Sequence, residues 1–217
     1  MSTPGAAVGI KALHSAEMTD HTRLFCLRHG ESENVLTGTA GVLPAAPLTP
    51  HGWDQAIAAA EVLGPESITR IYSSTAIRAR DTAGIIAHIL GAETIQMPEL
   101  LEVGIGSAEG ATDPTTRAST AEVLRAWIVE RDLSAQVADG ETGHQVVARV
   151  CSALTAIASS HRGQTVGVVG HVASLTVALN ELCKLGGTIW GTPLPHAVPF
   201  LVEQDGNSWR CVSWPTV

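Results

Sequence analysis

The sequence predicts an α/β fold, a three-layer α/β/α sandwich around a mostly parallel sheet. Short apolar runs of strand length alternate along the chain with stretches of helical periodicity, the pattern of strand–helix–strand units. Serine or threonine precedes two of the helical stretches and glycine follows them, as helix starts and stops require. Length agrees: 217 residues suit one substantial domain, since domains typically hold about 100 to 200 residues.

In chain order, "RLFCL" at Arg23 to Leu27 reads as a buried strand, followed by the Gly- and Pro-rich loop "LTGTAGVLPAAP". In "LTPHGWDQAIAAAEVLG", Thr49 is a candidate N-cap, Pro50 suits the first helical position and Gly64 the end. A strand is expected at Ile68 to Tyr72. "SSTAIRARDTAGIIAHILG" repeats the grammar, with Ser74 or Thr75 as cap and Gly91 as stop, before a short strand at Thr94 to Met97. Further helices are expected at Thr120 to Arg131 and Thr142 to Ser160. "TVGVVG" reads as a Val-rich buried strand and "VASLTVALNELC" as a helix. Strands at Ala197 to Glu203 and Trp209 to Ser213 flank the turn "DGN" as a terminal hairpin. No repeat or linker divides the chain, so residues 21–217 are expected to form one domain. Residues 1–20 lack the pattern of a secretory leader and are expected to be a flexible extension.

Composition narrows function. The apolar fraction of 45% and mean hydropathy of +0.19 support a sizeable core. Thirteen Lys and Arg against 21 Asp and Glu give a net charge of -8, which leaves no broad basic face for nucleic acid or an anionic membrane. Any anion must be held by a few focused cations. The apolar segment Thr165 to Leu182 is broken by Gly170, His171 and Ser174, and so reads as strand, turn and helix instead of a membrane span. Cys26, Cys151, Cys183 and Cys211 are widely spaced with no CxxC, which fits reduced thiols and a cytoplasmic setting.

Three strand ends carry chemistry: Arg28 and His29 after the first, Ser73 onward with Arg78 after the second, and His171 after the Val-rich one. Ligands of parallel sheets gather at the carboxyl ends of strands. Two arginines and two histidines brought to that edge would form a concentrated positive site suited to phosphate.

"LRHGES", "SSTAIRARDTA", "LLEVGIGSAEG" and "VVGHVASL" together resemble, in content and order, the blocks of the histidine phosphatase superfamily, the phosphoglycerate mutase-like family. "PLTPHGWDQA", "GETGHQVVARV" and "LPHAVPFLVEQDGNSW" match more weakly, so the likeness covers about Arg23 to Trp214. The resemblance implies the phosphoglycerate mutase-like fold and a nucleophilic role for His29. It makes Arg28 and Arg78 a phosphate clamp, Glu102 the proton donor and His171 the second histidine of the site. It implies no metal and no cofactor. Glu109 in "EG" matches a structural acid of the family, and Glu31 and Glu33 are expected to be loop residues.

The chain also departs from that pattern. Val35 stands where the family usually has a phosphate-binding asparagine, with Asn34 one place earlier as a candidate substitute. Ala45 stands where an aspartate often precedes "PLT". Val172 replaces the glycine after the second histidine, which makes the wall bulkier but keeps its backbone N–H for phosphate. His196, where the family often has asparagine, is expected to be a packed or surface residue. Arg117, Arg125 and Arg131 are isolated, with none of the paired arginines of a mutase insertion. The expected activity is therefore hydrolysis of a small phosphorylated metabolite, such as a phosphosugar, through a phosphohistidine on His29. Mutase-type phosphoryl transfer and a degraded phospho-ligand-binding module are the alternatives. Exposed apolar helix faces could support a homodimer.

Overall fold

The computed structural model describes residues 21–215, so the extension expected over residues 1–20 lies outside the described residues. The elements are β1 (Thr22–Arg28), α1 (Glu33–Leu36), α2 (Pro50–Leu63), β2 (Arg70–Ser73), α3 (Ile77–Leu90), β3 (Glu93–Gln96), α4 (Pro114–Arg125), α5 (Gly143–Ser160), β4 (Thr165–Gly170), α6 (Val172–Cys183), β5 (Phe200–Asp205) and β6 (Ser208–Cys211). They build a six-stranded sheet of order β3-β2-β4-β1-β5-β6. The pairs β3·β2, β2·β4 and β4·β1 are parallel, while β5 and β6 add as an antiparallel hairpin at one edge. The expectation of a mostly parallel sheet sandwiched between helices holds.

Alternation along the central strands assigns the two layers. Leu24 and Cys26 of β1, with Val166 and Val168 of β4, pack in a core with Val150, Leu154, Leu175 and Leu179 of α5 and α6. Phe25, Leu27 and Val169 face the other way, onto Leu63, Ala83 and Ile86 of α2 and α3. Burial on both faces explains why these strands read as continuous apolar runs.

Several local signals appear where expected. Thr49 accepts from the Gly52 N–H at the start of α2, with Pro50 as its first residue. Gly91 closes α3 at φ +68. Thr142 and Gln145 form a reciprocal capping box at the start of α5.

Other boundaries moved. The cap of α3 is Ala76, not Ser74 or Thr75; Ser74 is drawn instead to His171. The helix expected at Thr120 begins at Pro114, because the Asp113 carboxylate accepts from the Thr116 N–H and satisfies the first turn. It gives way after Arg125 to a wide turn over Ala126–Glu130, closed by Arg131 at φ +61. The hairpin strand begins at Phe200 rather than Ala197, which is held out of the strand at φ +51 while its N–H donates to the Arg28 carbonyl.

Candidate active site

The central parallel strands β1 and β4 end side by side, Arg28 against Gly170, and the His29 N–H continues the ladder to the Gly170 carbonyl at 3.0 Å. His29 is buried. Its turn is pressed onto α2: a Cβ on Gly30 would lie 2.5 Å from the Gly52 carbonyl oxygen, and one on Gly52 would lie 2.0 Å from that of Glu31. Only glycines permit this approach.

Two contacts fix the His29 ring. Its Nδ1 lies 2.7 Å from the Gly30 carbonyl, which can only accept, so Nδ1 carries the proton. Arg78 Nε donates to Nε2 at 3.1 Å, so Nε2 holds a lone pair. The backbone-anchored tautomer is the one a nucleophilic imidazole needs.

Arg78 enters from the first turn of α3 and is itself aimed by carbonyls: Nη1 donates to Leu43 at 2.8 Å and Nη2 to Val42 at 2.9 Å. Nη2 also donates to Nδ1 of His171 at 3.2 Å. With Nδ1 accepting, His171 Nε2 bears the hydrogen that it donates to Ser74 Oγ at 2.7 Å. The two imidazoles stand edge to face with centroids 5.1 Å apart. Arg28 donates to the Leu194 carbonyl at 3.2 Å, and its Nε is buried without a partner.

The positive charge expected from four basic side chains comes from only two. Burial first, then for His29 the facing His171 ring, and for both the neighbouring arginines, push His29 and His171 well below the ordinary 6.5, so both are neutral. Arg28 is lowered by burial to about 10, with Glu102 opposing the shift, and remains charged at neutral pH.

Glu102 reaches the same edge on the loop after β3. Its carboxylate accepts from the N–H groups of Ala173 at 3.2 Å and Ser174 at 2.9 Å, at the N-terminus of α6, and from its neighbour Val103 at 3.0 Å. The loop is tied down by Arg149, which donates to the carbonyls of Glu99, Leu101 and Glu102 while pairing with both oxygens of Glu141. Glu109 accepts from the N–H groups of Val42 and Ile105 and so bridges two loops. Glu31 accepts from Thr49 Oγ1, and Glu33 opens α1.

The family model for the histidine phosphatase superfamily (branch 1) matches residues 24–216. The chain belongs to this superfamily. A metal-independent phosphoserine phosphatase of Arabidopsis thaliana is 33% identical over 90% of this chain and 82% of its own length. A probable phosphoglycerate mutase, GpmB, of Photorhabdus laumondii is 31% identical over 88% of this chain and 89% of its own. A bifunctional protein of Mycobacterium tuberculosis is 32% identical over 86% of this chain, which spans 52% of that relative. Among solved structures, YhfR of Bacillus stearothermophilus aligns with TM-score 0.77 at 26% identity, over 90% of this chain and 98% of its own. A mycobacterial glucosyl-3-phosphoglycerate phosphatase aligns at 0.76 and 27%, over 91% of this chain and 100% of its own.

In this member of the superfamily, Arg28, His29, Arg78 and Glu102 line a cavity of about 410 Å³. Asn34, Val35 and Val172 line it too. The Asn34 Oδ1 accepts from Ser32 Oγ at 2.7 Å, so its oxygen is committed to its own turn. Val172 is the first residue of α6, beside the N–H groups that hold Glu102. His196 is half-buried behind His29: its Nδ1 donates to the His29 carbonyl at 3.0 Å, and burial lowers it to about 4. It packs, as expected, and is not among the cavity-lining residues.

Sequence reasoning missed Ser74 as partner of His171, Arg149 and Glu141 as anchors of the Glu102 loop, and Arg117 on the cavity wall. The weak motif "GETGHQVVARV" contains both Glu141 and Arg149 and was the available signal.

Proposed function

We propose that the protein is a phosphomonoesterase working through a phosphohistidine on His29. The observation that carries this is the ring's fixed state: Nδ1–H is spent on Gly30 and Nε2 keeps a lone pair beside a buried arginine at the cavity floor. The named phosphatases among the relatives support the same reading.

In the first step the Nε2 lone pair attacks phosphorus, the P–O ester bond breaks, and its electron pair leaves on the alcohol oxygen, which takes a proton from Glu102. In the second, Glu102 accepts a proton from water, the water oxygen attacks phosphorus, and the P–N pair returns to His29. Arg28 and Arg78 hold the non-bridging oxygens, an electrostatic role in which fixed positions matter most. His171, buried with its two ring nitrogens bonded to Ser74 and Arg78, stands behind the clamp as the second histidine of the site and orients Arg78. Val172 contributes its backbone N–H, and Asn34, on the same cavity wall, offers its amide.

The test is mass spectrometry, after an alkaline denaturing quench that preserves the P–N bond, of protein mixed with 4-nitrophenyl phosphate in the presence of chelator. A phosphoryl group on His29, with turnover lost in His29→Ala, is expected. Absence of any His29-dependent phosphate release overturns the enzyme reading and leaves the binding module. Mutase chemistry has support in the GpmB relative, and conversion of 3-phosphoglycerate to 2-phosphoglycerate without net phosphate release would establish it.

No helix among the described residues is long and apolar enough to cross a membrane. All four cysteines are free, which supports a reducing, cytoplasmic setting. A homodimer through the exposed Trp53 and Ile57 of α2 belongs to the same proposal and is tested by light scattering.

A further inference from the structure

The cavity above the clamp is far larger than a phosphoryl group needs, and its wall says what else it holds. At about 410 Å³ it has the size of a small-molecule site. Beyond the clamp, the surfaces left to meet an alcohol are chiefly Val35, Val103, Ile105, Leu124, Trp127 and Val172.

Apart from Asn34, whose amide is assigned to the phosphoryl group, the polar side chains nearby are largely bonded inside the protein. Thr39 Oγ1 is bonded to Thr37 at 2.6 Å, and Thr120 Oγ1 donates to the Arg117 carbonyl at 2.8 Å. Arg117 itself is exposed at the cavity's edge, where Nη1 donates to the Thr112 carbonyl at 2.7 Å. The indole N–H of Trp127 donates to the Ala135 carbonyl at 2.9 Å, so this buried ring has only carbon edges and faces to present.

A polyol in this space would lose water from its hydroxyls and find few partners, which is costly, whereas a hydrocarbon group of equal size would lose nothing. Val35 adds a further branched apolar side chain to this wall.

We infer that the site takes phosphomonoesters of apolar alcohols, alicyclic, aryl or branched alkyl, in preference to those of sugars, glycerate or serine. This rests on the phosphatase reading and names its substrate class.

The experiment compares cyclohexylmethyl phosphate with glucose 6-phosphate, both esters of primary alcohols on six-membered rings, so that leaving-group chemistry is similar and hydroxyls are the main difference. Phosphoserine and 3-phosphoglycerate complete the set. A kcat/KM at least roughly tenfold higher for cyclohexylmethyl phosphate is expected, since a mismatch between polar groups and an apolar wall is worth that much or more. Leu124→Gln should erase most of the preference while leaving the inhibition constant of inorganic phosphate unchanged, which shows that the clamp is still folded. Equal or faster hydrolysis of a polar ester, or a preference untouched by Leu124→Gln, overturns the substrate class but keeps the phosphatase. If no ester is hydrolysed in a His29-dependent way, both fall together.

Discussion

Arg78 donates from Nε to Nε2 of His29 across 3.1 Å. The cation nearest the imidazole is thus bonded to the lone pair proposed to attack phosphorus, and attack requires the guanidinium to exchange that lone pair for a phosphoryl oxygen. Arg78 can do so without moving far, because Val42 and Leu43 hold its other nitrogens by their carbonyls.

Arg78→Lys should therefore be far from conservative. A lysine has no planar fork to serve two carbonyls and two imidazoles at once. Loss of kcat/KM by about 10²-fold or more is expected. Leaving the part-buried Val42 and Leu43 carbonyls without Arg78 should also cost about 1 kcal/mol, read as a lower urea midpoint. Wild-type activity in Arg78→Lys would remove Arg78 from the clamp.

The pH dependence follows from the two buried histidines. Burial chiefly, then the neighbouring charges, hold both below 6.5 in the folded chain, while the unfolded chain titrates near about 6.5. Below that pH the unfolded state gains protons that the folded site refuses. Stability is thus full above about pH 6.5 and is lost as pH falls toward the folded values. Urea unfolding at pH 7.5 and 5.5 should show the decline, and it should be shallower in His29→Ala. Imidazole NMR resonances of His29 and His171 that titrate near 6.5 in the native protein would contradict the assignment.

Glu102→Gln separates the two halves of the proposed reaction. The amide cannot give up a proton to the departing oxygen, so hydrolysis of alkyl phosphates should fall by about 10²–10⁴-fold. Phosphorylation of His29 by 4-nitrophenyl phosphate should fall much less, because nitrophenolate leaves without a proton. Equal losses with both esters would assign Glu102 a structural role.

Arg149 gives a different signature. It touches no cavity surface, yet holds the carbonyls of Glu99, Leu101 and Glu102. As a positioning residue it should act on kcat: Arg149→Met is expected to lower kcat about tenfold or more through misplacement of Glu102. Inhibition by inorganic phosphate should stay near the wild-type value. A weakened phosphate affinity instead would mean that the whole edge has shifted.

The sequence by itself determined the sandwich and the identity of the four residues at the sheet edge. Continuous apolar runs of strand length, bounded by turn residues, read as strands buried on both faces, and the carboxyl ends of β1, β2 and β4 bring Arg28, His29, Arg78 and His171 to one side. It also marked Val35 as a departure from the family pattern. Tertiary structure alone decided the rest. That both imidazoles are neutral depends on burial and on arginines from other elements, which no local pattern records. That Ser74 serves His171 instead of capping α3 depends on a contact between residues distant in the chain. The cavity's apolar wall is assembled from the loops after β1 and β3, from α4 and the turn after it, and from the start of α6. Its chemistry became visible only when packing showed which polar groups were already satisfied and which surfaces remained for a ligand.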